Sequence, residues 1–189
     1  MPGLVESIEV REPVYIPRRF SFNGYLSGEN PFEIHLDATK PVTIYPAMCM
    51  SYESMFDDCL ARSIVVPELT SNNLNTSARR MFCNDGLLSS FETPRGFWSR
   101  LSDCNGMLSG CTSLSSIDMS EEDGGALSGL KNMSNMFDKC TNLSSIEFPA
   151  GSGTQLTTTI IAGGFMNCTN LQKLVFPAGF GGRVSYLRR

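Results

Sequence analysis

Met136-Phe137-Asp138-Lys139-Cys140-Thr141-Asn142-Leu143-Ser144-Ser145-Ile146-Glu147-Phe148-Pro149 decides the fold, because its phrase Phe-x-x-Cys-x-x-Leu-x-x-Ile-x-Phe-Pro returns at a nearly fixed interval. The next copy keeps every offset with Phe165, Cys168, Leu171, Leu174, Phe176 and Pro177. Upstream, Met107, Leu108, Cys111, Leu114, Ile117 and Met119 fill the same places, and before them Met81, Phe82, Leu88, Phe91 and Pro94, with Asp85 in the cysteine slot. A fifth copy runs from Met55, Phe56 and Cys59 to Ile64, Val66 and Pro67, with one residue deleted between cysteine and strand. The slot positions 59, 85, 111, 140 and 168 are 26, 26, 29 and 28 residues apart. A fixed period of this length is the signature of a stacked repeat, in which one unit cannot bury its own apolar face and gains stability from its neighbours.

Composition sets further bounds. A chain of 189 residues with 41% apolar side chains can bury a core, which argues against disorder. Net charge is −4, and Arg183, Arg188 and Arg189 form the one small basic group, so a nucleic-acid surface is not expected. No stretch approaches the ~18–20 continuous apolar residues of a membrane span. The first 30 residues lack both a basic start and an apolar run, so no secretory signal is read there. A virion or a cell surface is the expected location.

Of the seven cysteines, Cys59, Cys111, Cys140 and Cys168 recur at one repeat position, which points to packing: a small, weakly polar side chain suits the inside of a turn. They are expected to be buried free thiols, since parallel stacking gives no assurance of disulfide geometry. Cys49, Cys83 and Cys104 lie outside the register and have no metal-ligand spacing with His35, the single histidine. No metal, cofactor or catalytic set is therefore expected. The paired serines recur with the repeat and read as solvent-facing strand residues, and the glycine-rich stretches lack the Lys-Ser or Lys-Thr of a phosphate loop. Trp98 is read as buried on the convex side or as a recognition anchor.

Three parts follow. Residues 1–48 hold short β-like runs separated by turn signals at Asn23-Gly24, Ser27-Gly28 and Asn30-Pro31, and read as a β-rich cap or docking segment. Within them, Thr43-Ile44-Tyr45-Pro46 echoes the strand end Glu147-Phe148-Pro149 as a degenerate first repeat. Residues 49–177 are the repeats, each with an alternating strand and, ahead of Phe-x-x-Cys, a short helical or 3₁₀ turn. Residues 178–189 close the last repeat, with Tyr186 and Leu187 available to cover it.

From Met55 to Pro177 these copies resemble the leucine-rich repeats of the BspA-like type, with a consensus of Met-Phe or Ala-Phe, then x-x-Cys-x-x-Leu-x-x-Ile-x-Ile-Pro. Asp85, Thr93 and Ser120 depart from it, in the cysteine, strand and proline slots. The resemblance implies an α/β leucine-rich-repeat solenoid with one parallel sheet, used for adhesion or protein recognition on bacterial, protist or viral surfaces, without catalysis. Two functions stay open. One is a non-catalytic interaction module of a surface-exposed adhesion or recognition protein, whose partner is another protein or a surface glycan. The other is a bacteriophage virion structural protein, a decoration or fibre component fastened to capsid or tail proteins by residues 1–48.

The candidate interaction face is the strand side. The outward position of each strand places Val65, Glu92, Asp118, Glu147 and Val175 in one column, flanked by Ser63, Ser90, Ser116, Ser145 and Lys173. At a strand spacing of ~4.8 Å, three stacked carboxylates would repel one another. The row is read either as a solvated polar face or as a seat for a cation or a partner's basic patch.

Overall fold

The fold is described from a computed structural model over residues 42–43, 52–58, 62–66, 76–120, 127–156 and 163–182. Runs such as Ser63-Ile64-Val65 pair as strands because β-branched residues suit a pleated, half-buried surface, and Ile64 is fully buried. Strands β1 (Val42–Thr43), β2 (Ser63–Val65) and β4 (Ser90–Glu92) form one parallel sheet. A second parallel pair joins β3 (Thr76–Ser77) to β5 (Leu101–Asp103) and continues as a single bridge to Asn132. A third joins β6 (Ser145–Glu147) to β7 (Lys173–Val175).

The expected single sheet is thus divided among the described residues. Copy three, with Ser116, Ile117 and Asp118, forms no strand between β4 and β6. The echo at Thr43 also moves by one residue: Val42 pairs with Ile64 and Thr43 with Val65, whereas matching Tyr45 to Phe148 would put Thr43 opposite Ile64. The rest of the β-rich reading of residues 1–48, together with Cys59, Tyr186 and Leu187, lies outside the described residues.

The Met-Phe-x-x-Cys blocks are neither helices nor strands. In each block alternate N–H groups turn back on their own copy while those between reach the next one. Met81, Cys83 and Asp85 donate to Ala78, Arg80 and Phe82, whereas Ala78, Arg80, Phe82 and Asn84 donate to Asp103, Asn105, Met107 and Ser109 of the following copy. The same alternation recurs from Cys104 to Gly110, whose acceptors run from Asn132 to Asp138. Bonds three residues back close successive tight turns, and positive φ recurs in step at Ser54 and Asp58, Arg80 and Asn84, Gly106 and Gly110, Asn135 and Lys139, and Gly163 and Asn167. A continuous 3₁₀ run would point all its N–H groups back along its own axis; the left-handed residues turn alternate ones outward, which satisfies the buried backbone by stacking. Among the described residues the one helix is α1 (Phe97–Arg100), in a connecting segment.

Met55, Phe56, Met81, Phe82, Met107, Leu108, Met136 and Phe137 are all fully buried. Phe56 stacks on Phe82 at 5.5 Å and Phe137 on Phe165 at 5.6 Å, and Leu108, which fills the equivalent place in copy three, belongs to the same core. Trp98 is 1% exposed and packs edge-on against Phe97, so it is a core residue and not a surface anchor. At the far end burial falls away: Met166 is 58% and Phe176 38% exposed. There Phe180, which the sequence reading did not single out, packs against both Phe148 and Phe176.

Candidate functional site

The cysteine slot forms a spine through the repeats. Cys111 donates its S–H to the Phe82 carbonyl at 3.0 Å, Cys140 to Leu108 at 3.1 Å and Cys168 to Phe137 at 2.9 Å. Each acceptor lies three residues before the slot of the preceding copy, so one small, weakly polar side chain links successive coils. Cys111 and Cys140 are buried, as is Asp85 in the slot of the second copy, while Cys168 is half-buried because the last coil is incompletely covered. The cysteines described, Cys83 and Cys104 included, are unbridged.

Burial pushes the Cys111 thiol well above its ordinary range, Cys140 up to about 12 and Cys83 up to about 11. Raised pKa values keep these groups protonated in the folded chain, whereas the unfolded thiol ionises near ~8.5. Their contribution to stability is therefore complete below that pH and is lost as pH climbs towards the folded values, at up to ~1.4 kcal/mol per pH unit for each thiol. Melting curves between pH 7 and 10 are expected to show the fall, flattened in Cys140→Ala. Thiol labelling in native buffer is expected to find Cys168 first and Cys111 and Cys140 only after denaturant. Rapid native labelling of Cys111 would contradict the spine.

On the strand side, serine and threonine hydroxyls link the copies. Ser89 Oγ donates to the Arg62 carbonyl at 3.0 Å, Thr112 Oγ1 to Gly86 at 3.1 Å and Ser144 Oγ to Ser115 at 3.3 Å. Ser90 Oγ meets Ser63 Oγ at 3.5 Å, in register with the pairing of these two residues. The sequence reads these serines as solvent-facing strand residues; the structure adds an inter-copy bond to several of them.

The carboxylates are placed unequally. Glu92, Asp118 and Glu147 are all exposed. The ladders pair Glu92 with Val65 and Glu147 with Val175, but none includes Asp118, so the column is continuous only within each pair of strands. Ser145 pairs with Lys173, whose Nζ reaches diagonally back to Glu147 Oε2 at 3.1 Å. Both partners are more than half exposed, so this pair contributes only a fraction of a kcal/mol, at most ~1. Asp118 Oδ1 accepts the Ser120 N–H at 2.8 Å, and the Ser120 hydroxyl and N–H together hold the Asp118 carboxyl below its usual range. Ser116, in copy three, is exposed. Ser120, standing where other copies have proline, supplies the N–H that proline lacks; that departure was visible in the sequence, but its bond to Asp118 was not.

On the turn side, Arg80 holds the buried Asp57 across two copies through Nε to Oδ2 at 2.9 Å and Nη2 to Oδ1 at 3.2 Å. Among the described residues no group of three His, Cys, Asp or Glu side chains is arranged to hold a metal ion, and no helix is long and apolar enough to cross a membrane.

Parallel coils stacked through turn ladders, with thiols bonding coil to coil and a polar strand side, define a repeat protein of the leucine-rich class. The family model for the BspA type leucine-rich repeat region matches residues 52–152 and 131–182, in six copies, and the chain belongs to that family. It is a family of repeat modules for protein interaction. Neither the curated proteins nor the solved structures searched contain a match.

Proposed function

We propose that this chain is a non-catalytic recognition module of a surface-exposed adhesion protein and binds its partner through the strand side. The observation behind this reading is the contrast between the two sides. The turn side spends its backbone and thiol groups on bonds between copies, while the strand side leaves Glu92, Asp118 and Glu147 in water beside Ser90, Ser116 and Ser145. Family membership supports the absence of catalysis, as does the engagement of the spine thiols with backbone carbonyls. Exposed like charges give salt-sensitive association and partner choice more than raw affinity.

Beads coated with the chain are expected to bind intact bacterial cells from a panel at low salt. The combined change Glu92→Gln, Asp118→Asn and Glu147→Gln is expected to reduce that binding roughly tenfold, at unchanged melting temperature within a few degrees. Full binding by the triple variant would overturn the reading. Binding to purified capsids or tails in place of cells would mark the second reading, a virion component anchored through residues 1–48.

A further inference from the structure

The strand side is interrupted at copy three. At one end copies three and four touch, where the Ser144 N–H donates to the Ser115 carbonyl at 3.2 Å. Beyond that contact no ladder joins 116–118 to β4 or β6. A furrow of about 340 Å³ lies between 117–120 and 147–150, within the ~300–1,000 Å³ range of ligand sites. Ile117 and Pro149 are its half-buried apolar walls, with Met119 and Phe148 buried beneath, and Asp118 and Glu147, one from each segment, are the exposed carboxylates on its lips. Apolar walls beneath two carboxylates suit a side chain with an aliphatic stem and a cationic head.

The described residues hold an example of such a head on this column. Lys173 places its Nζ on Glu147 from the neighbouring copy. One copy earlier, the residue equivalent to Lys173 is Ser145, which brings no cation to Asp118. Ser120 holds Asp118 ionised, so the lip stays charged. We propose that this furrow seats a lysine or arginine side chain of a partner protein, its stem on Ile117 and Pro149 and its charged head between Asp118 and Glu147. The inference rests on the recognition reading above and narrows it to one seat and one kind of side chain.

The test is an amide chemical-shift titration of the full, ¹⁵N-labelled chain with Nα-acetyl-lysine methylamide, repeated with the uncharged norleucine analogue. Saturating shifts confined to 117–120 and 147–150 are expected, weakening several-fold when salt is raised from 50 to 300 mM. Norleucine should bind about tenfold more weakly, and so should lysine to Asp118→Asn. Should Asp118→Asn unfold, Glu147→Gln serves in the same titration. No shift in the furrow, equal binding of norleucine, or undiminished binding by the folded variant would overturn the proposal. Lysine binding alongside bead adhesion indifferent to the triple substitution would remove the recognition reading instead. Adhesion that needs the carboxylates while the furrow ignores lysine would remove only this one.

Discussion

Phe137→Ala is expected to lower the free energy of unfolding by about 3–5 kcal/mol, the cost typical of deleting a buried aromatic ring. Phe137 is fully buried, stacks on Phe165 at 5.6 Å and meets Phe148 edge-on at 6.2 Å. Its carbonyl also accepts the Cys168 thiol, so a collapse of the site would disturb the spine as well. In a stacked repeat each coil contacts only its neighbours, so the loss is expected to spread to both adjoining coils. Phe165→Ala is expected to cost less than half as much, because Phe165 is only partly buried in the last described copy. Urea denaturation of the two variants beside the parent chain measures the difference. A cost below about 1 kcal/mol for Phe137→Ala would show that the ring stack does not hold the coils together.

Gly110→Ala is the second large effect. Gly110 has φ +84°, a region that costs a residue with a Cβ about 1–3 kcal/mol. Asp58, Asn84, Lys139 and Asn167 hold the equivalent place with positive φ, so the conformation alone is tolerated there. What sets Gly110 apart is the approach of the preceding copy: an added Cβ would lie 3.1 Å from the Asn84 Cα and 3.3 Å from its nitrogen. Backbone cannot swing aside as a side chain can, so the two coils must separate. The expected cost is about 2–4 kcal/mol, the conformational strain plus that of overpacking. Gly151 has nearly the same φ, +82°, but nothing within 4 Å of its added Cβ, and Gly151→Ala is expected to cost about 1 kcal/mol. Equal costs at the two positions would show that the contact between coils is not the limiting feature.

The period, the inward apolar positions and the buried character of Cys111 and Cys140 were legible in the sequence. Each depends on burial repeated at a fixed offset, and a one-dimensional pattern records that directly. The turn ladder was partly written there, in the Asp58, Asn84, Gly110 and Asn167 that precede each slot, since these residue types adopt positive φ most readily. Lys139, Arg80 and Ser54 adopt it too, and obscure the signal; they are held there by the bonds between coils and not by intrinsic preference. The one-residue displacement at Thr43 and the packing of Phe180 over the last coil were not legible, because each depends on contacts between distant residues.

The candidate site marks the division most sharply. Ser115-Ser116-Ile117-Asp118 and Ser144-Ser145-Ile146-Glu147 are nearly the same four residues at the same offsets, and sequence alone gives both the same strand. In the structure the second forms a ladder with β7, while the first forms none and leaves a furrow beside Asp118. The sequence by itself determined that these residues alternate between core and solvent. Whether their backbones pair was decided by the tertiary structure, because a strand's hydrogen bonds are made to its neighbours and exist only where the next coil comes close enough to accept them.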